Sequence, residues 1–141
     1  MTFSELFTAD IHNVQKAFER IQAEHFADEP FLNPELSVEV VPALEFTGPY
    51  GRQSVLVLIT PWGISGLVLP GRGLPESMPV SNSRRPVMIV EEVRETGPYA
   101  QVVLAPDVSR YTTQEQARTI ATSMIPVLLA GIGVDTDVDQ P

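Results

Sequence analysis

Nucleophilic hydrolysis needs a serine exposed on a strand-to-helix elbow with a histidine in reach, and Ser65 is the residue that invites the comparison. The run Gly63-Ile64-Ser65-Gly66-Leu67 matches G-x-S-x-G except at its last position, where leucine replaces glycine. No helical pattern follows it and both histidines lie far upstream, so Ser65 reads as structural. His12 and His25 are poor metal ligands. They stand 13 residues apart on one helix, nearly four turns, whereas paired ligands sit at i and i+4. His25 falls towards the apolar stripe and reads as a core-edge histidine. Asp135, Asp137 and Asp139 alternate like the first ligands of a calcium loop, but the glycine and the closing glutamate are missing. Gly71-Arg72-Gly73 and Gly131-Ile132-Gly133 each supply two glycines of G-x-G-x-x-G without the strand-turn-helix context. Glu91, Glu92 and Glu95 would suit paired-carboxylate chemistry only if they converged; neighbours on a strand point to opposite faces, so they read as solvent-facing acids. The absence of cysteine removes thiol catalysis, iron–sulphur ligation and zinc ribbons. No catalytic, cofactor-binding or metal-ligating residue emerges, and the chain is expected not to be an enzyme.

What remains is a surface. Trp62, the single tryptophan, stands where an apolar strand breaks at Pro61. Its ring is either wedged into the core or presented at a strand end, where a large rigid side chain anchors a peptide partner. Charge limits the partner. Nine Lys and Arg face 18 Asp and Glu, a net charge of −9, which argues against nucleic acid and against stable insertion into an anionic membrane. Residues 1–40 hold eight acids and two bases, residues 41–110 six of each, and residues 111–141 four acids and one base. Within the neutral middle, Arg72, Arg84 and Arg85 sit against Glu76 alone in the loop Pro70–Pro86.

The elements that must position these residues follow from periodicity. Ile11, Val14, Phe18 and Ile21 recur at helical spacing, predicting a first helix from Thr8 or Asp10 to about Phe26, with Glu19 and Glu24 on its charged outer face. Phe31 to Leu36 reads as an extended connector. Ser37–Val41 and Leu44–Thr47 read as strand on either side of Pro42, and Gly48-Pro49-Tyr50-Gly51 as a turn. Val55–Thr60 and Ile64–Leu69, interrupted by Pro61-Trp62-Gly63, read as a buried hairpin or a bent strand pair. Val87–Glu95 and Ala100–Ala105 form a second hairpin around Thr96-Gly97-Pro98-Tyr99. That tetrapeptide repeats Thr47-Gly48-Pro49-Tyr50, better explained by reuse of turn chemistry than by duplication. Thr112 and Thr113 before Gln114-Glu115-Gln116 make a capping box for a second helix running to about Ala130, kinked at Pro126. The 141 residues suit one domain, 1–134, with a short acidic tail at 135–141. The fold class is α+β: an antiparallel β-sheet of about four to six strands with an N-terminal and a C-terminal helix packed on one face. The uncharged stretches Gln53–Gly71 and Thr119–Val134 carry too much proline and glycine to read as membrane spans, and no secretory signal is expected at the amino terminus.

The run Leu58-Ile59-Thr60-Pro61-Trp62, followed by Ser65 and Val68-Leu69-Pro70-Gly71, resembles the core signature of the HybE/HupJ family of nickel–iron hydrogenase assembly chaperones. Phe31-Leu32-Asn33-Pro34 with Leu36 resembles that family's segment between first helix and first strand. The resemblance spans roughly residues 10–130 and is strongest over 31–71. It implies a cytoplasmic maturation protein, without cofactor, that binds a precursor of the small or large hydrogenase subunit and delays export until assembly is complete. A twin-arginine signal peptide would suit the acidic amino-terminal third. On this reading the partner surface comprises Thr60, Pro61, Trp62, Pro70, Gly71 and Arg72, with Phe31, Asn33 and Pro34 from the connector and Glu19 and Glu24 from the first helix. The partner's apolar stretch would add to a sheet edge or lie in a groove beside the second helix. The competing readings are a small-ligand module or a cofactor-independent enzyme using an apolar cavity near Trp62. Oligomeric state is left open.

Overall fold

The computed structural model describes residues 4–25, 32–48, 51–69 and 89–131. Helix α1 spans Glu5–His25 and starts a few residues before the expected Thr8 or Asp10, because Ser4 caps it: its Oγ accepts from the Phe7 N–H at 3.1 Å. Phe7, Val14, Ala17 and Phe18 bury one stripe of the helix, with Ile11 and Ile21 at its margin. His25 is exposed, which corrects its reading as a core-edge residue.

Five strands follow: β1 Glu39–Gly48, β2 Gly51–Thr60, β3 Gly63–Leu69, β4 Ile89–Val93 and β5 Gly97–Ala105. They form one sheet in the order β1-β2-β3-β5-β4, with every neighbouring pair antiparallel. Pro42 is accommodated on the edge strand β1 because the register shifts between Pro42 and Leu44. In the second hairpin the turn is Arg94–Thr96, while Gly97 (φ +71°), Pro98 and Tyr99 already belong to β5. The expected turn is therefore displaced. Thr47 and Gly48 end a strand whereas Gly97 begins one, so the repeated tetrapeptide marks no repeated unit.

Helix α2 spans Gln114–Ser123 and α3 spans Ile125–Gly131. The Thr113 hydroxyl accepts from the Gln116 N–H at 3.1 Å, and the Gln116 side chain accepts from the Thr112 N–H at 2.7 Å. The single kinked helix expected here is two helices meeting at Met124, since proline lacks an N–H and its ring crowds the carbonyl four residues back.

The α+β class and the antiparallel sheet match expectation, but the helices do not share a face. Val55, Val57 and Ile59 of β2 pack with Ala117, Ala121, Leu128 and Leu129 of α2 and α3. Leu56 and Leu58, on the other side of the same strand, pack with Phe7, Val14 and Phe18 of α1. The sheet is the middle of three layers. Residues 53–69 of β2, β3 and their turn are accordingly buried throughout, apart from half-buried Trp62, as expected for strands covered on both faces. Gly66 leaves room for the Leu128 side chain of α3: a Cβ there would meet the Leu128 Cδ1 at 2.4 Å.

Candidate functional site

The two-residue turn between β2 and β3 places Trp62. The Thr60 hydroxyl donates to the Gly63 carbonyl at 2.9 Å and accepts from the Trp62 N–H at 3.3 Å. Pro61 is fully buried beneath the turn. Trp62 is half-buried and packs against the apolar cluster on the α1 side, so neither of the two expected placements holds alone. One part of the ring contributes to the core, and the residue also lines a surface cleft.

Asn33 locks this turn to two other segments. Its backbone N–H donates to the Pro61 carbonyl at 2.8 Å, and its side-chain amide donates to the carbonyls of Val108 and Tyr111, each at 2.8 Å. Its Oδ1 accepts from the Glu35 N–H at 2.9 Å. A buried amide with its donors and acceptor engaged fixes geometry rather than offering groups to a ligand.

Around this lock lies an open cleft of about 410 Å3. Leu32, Asn33 and Pro34 line it from the connector, Trp62 from the hairpin turn, and Pro106, Asp107, Val108 and Ser109 from the segment after β5. Among the described residues it is bounded by connecting segments, and neither a sheet edge nor α2 contributes a lining residue. Its charged side chain among the described residues is Asp107, whose Oδ1 accepts from the Ser109 N–H at 2.9 Å. Hydrogen bonds from Ser109, helped by the charge of Arg110, hold this carboxyl below the usual range.

Of the residues singled out in the sequence, Asn33, Pro34 and Trp62 meet in the cleft, with Thr60 and Pro61 shaping the turn behind it. Glu19 and Glu24 are exposed on α1 and do not line it. Phe31, Pro70, Gly71 and Arg72 lie outside the described residues, as do Arg84, Arg85, Asp135, Asp137 and Asp139. Pro106 to Ser109 were not foreseen; Pro106-Asp107 carries only the signature of a turn.

The remaining chemistry candidates resolve structurally. Ser65 lies buried within β3, opposite Leu58 on one side and Val103 on the other, and its hydroxyl accepts from the Gln101 amide at 3.1 Å. Among the described residues no group of three His, Asp or Glu side chains could hold a metal ion. Glu91 and Glu92 are exposed as expected, but Glu95 is not merely a solvent-facing acid. Arg20 of α1 grips it with Nε at 2.5 Å and Nη2 at 2.9 Å and also reaches Glu24 at 2.8 Å. The acidic amino-terminal third is likewise partly compensated. Arg52 pairs with Asp10 and Glu45, and Arg118 with Glu39. Among the described residues no helix is long and apolar enough to cross a membrane.

A family model described as "[NiFe]-hydrogenase assembly, chaperone, HybE" matches residues 9–139. Among solved structures, the solution structure of HybE from Escherichia coli is similar with a TM-score of 0.59 at 24% sequence identity, covering 94% of this chain and 83% of that one. That likeness is one of fold. No protein of curated function matches the chain.

Proposed function

Since the chain belongs to the HybE family of nickel–iron hydrogenase assembly chaperones, we propose that it binds an immature hydrogenase subunit through the cleft around Trp62 and holds the precursor back from export until assembly is complete. The observation that carries this reading is the convergence of Asn33 and Pro34 with Trp62 around one open cleft. An indole beside prolines and aliphatic side chains takes an apolar peptide stretch, and a rigid aromatic anchor limits the entropy lost on binding. The bound segment is the twin-arginine signal peptide of the small-subunit precursor, drawn in by the net charge of −9 and retained by apolar contact. Handling a precursor before export places the work in the cytoplasm.

A small-ligand module or a cofactor-independent enzyme would need polar groups converging on an enclosed space. Asn33, the buried amide at the cleft, spends its side chain on the Val108 and Tyr111 carbonyls and the Glu35 N–H. Nothing in the cleft favours those readings. The test is a titration of the precursor signal peptide against the wild type and Trp62→Ala over a range of salt concentrations. Affinity should drop with the substitution and fall with salt; equal affinity for both proteins at every salt concentration sinks the proposal.

A further inference from the structure

Resting on the reading of the cleft as the precursor site, we infer that it selects one arginine within an otherwise apolar peptide segment, seating the guanidinium against the Trp62 indole and pairing it with Asp107. Both residues line the same cavity of about 410 Å3, with Leu32, Pro34, Pro106 and Val108 supplying apolar surface. Trp62 is anchored by its packing on the α1 side, so its position is set before a ligand arrives. Asp107 is exposed, and the described residues include no cation paired with it. Its Oδ1 takes the Ser109 N–H, and because a carboxylate offers about four acceptor positions it retains capacity for a two-pronged guanidinium. Arg110 lowers the Asp107 pKa through its charge without forming an ion pair among the described residues.

The buried Asn33 amide at the cleft is already engaged, so among the described residues the charged chemistry left to meet a ligand is that of one carboxylate. Arginine fits better than lysine. A planar guanidinium stacks on an indole and bonds a carboxylate through two N–H groups, whereas an ammonium is a compact, strongly hydrated point charge. One carboxylate serves one guanidinium, so a second consecutive arginine finds no acidic partner among the described lining residues.

Trp62 is the sole tryptophan, which makes its emission a reporter of this cleft. The full chain is titrated with a capped nonapeptide of leucine, phenylalanine and serine carrying one central arginine, and with counterparts holding lysine or neutral citrulline. Calorimetry supplies affinities for Trp62→Leu and Asp107→Asn; asparagine keeps an oxygen for the Ser109 N–H, and circular dichroism verifies that both variants fold. The arginine peptide should bind the wild type about three- to tenfold more tightly than either counterpart. That preference should vanish in both variants, and a second adjacent arginine should add no more than a statistical factor. Equal affinities for the three peptides, with an emission change for each, overturn the selection of arginine and leave the cleft as an apolar-peptide site. No emission change and no heat with any peptide, together with equal precursor binding by wild type and Trp62→Ala, overturn the cleft reading itself.

Discussion

Asn33 holds together segments that are adjacent only in the folded chain. Its amide bridges to carbonyls 75 and 78 positions further on, so truncating it takes the side-chain partner from the Tyr111 carbonyl and the Glu35 N–H, while the Val108 carbonyl keeps the Tyr111 N–H. Each unmet group costs about 1–3 kcal/mol. Asn33→Ala should therefore lower stability by about 2–4 kcal/mol in urea denaturation, and the surviving folded protein should bind precursor peptide less tightly because the cleft walls are no longer tied. Glu95 makes a prediction of a different kind. Arg20 hydrogen-bonds its carboxylate and holds its pKa at about 2, against 4.5 for a free glutamate. The native state thus binds fewer protons than the unfolded chain between those values. The stabilisation is complete above pH 4.5 and is lost as pH falls towards 2. The urea midpoint of wild type should exceed that of Glu95→Gln at neutral pH, and the gap should close across this acid window. A gap independent of pH would show that the carboxylate charge is irrelevant. Sequence pattern reached the Asn33-Pro34 and Thr60-Pro61-Trp62 segments, but not Asn33's partners or the Arg20–Glu95 pair, because separations of 75 or more residues leave no periodic trace.

The elements show where pattern was informative and where it misled. The near-continuous apolar run over Val55–Leu69, broken at Pro61-Trp62, marked β2 and β3 as a buried hairpin, and they are. The same run held a signal against placing both helices on one face: Leu56 and Leu58 are as apolar as Val55, Val57 and Ile59, so both sides of β2 require cover. Pro126 foretold an interruption, though hydrogen bonding decided that α2 ends at Ser123 and α3 begins two residues on. The contact between β3 and α3 is tight enough to test. A methyl at Gly66 would lie 2.4 Å from Leu128 Cδ1, and Leu128 is only 2% exposed. Gly66→Ala should cost about 1–3 kcal/mol by overpacking. Combined with Leu128→Ala, it should cost clearly less than the two single changes added together, because each then relieves the other. Strict additivity in a denaturation cycle would mean that α3 simply lifts away from the sheet.

At the scale of the molecule, the charge of −9 is arranged rather than spread. Asp10 and Glu39, held by Arg52 and Arg118, help join α1 and α2 to the sheet, while Glu45 shares Arg52 within the sheet and Glu24 pairs with Arg20 within α1. Composition gave the net charge but not this division, since Arg52 lies 42 positions from Asp10 and Arg118 lies 79 from Glu39. Glu5, Glu19 and Glu35 are exposed and form no ion pair among the described residues. They contribute long-range field, although Glu19 also accepts from the Gln15 amide and Glu5 stands in the first turn of α1. On the proposed reading such charges should act on encounter rather than on the bound complex, because the peptide would be held by the residues that line the cleft. Replacing all three by glutamine removes three negative charges and takes the net value from −9 to −6. Stopped-flow measurements on the Trp62 emission should show association with a basic precursor peptide slowed about two- to fivefold at low salt. Dissociation should be unchanged. The difference should fade as salt shortens the Debye length to about 8 Å near physiological ionic strength and further beyond it. A change in dissociation with association unaltered would place these acids in contact with the bound peptide and remove the distinction between a steering surface and a holding cleft.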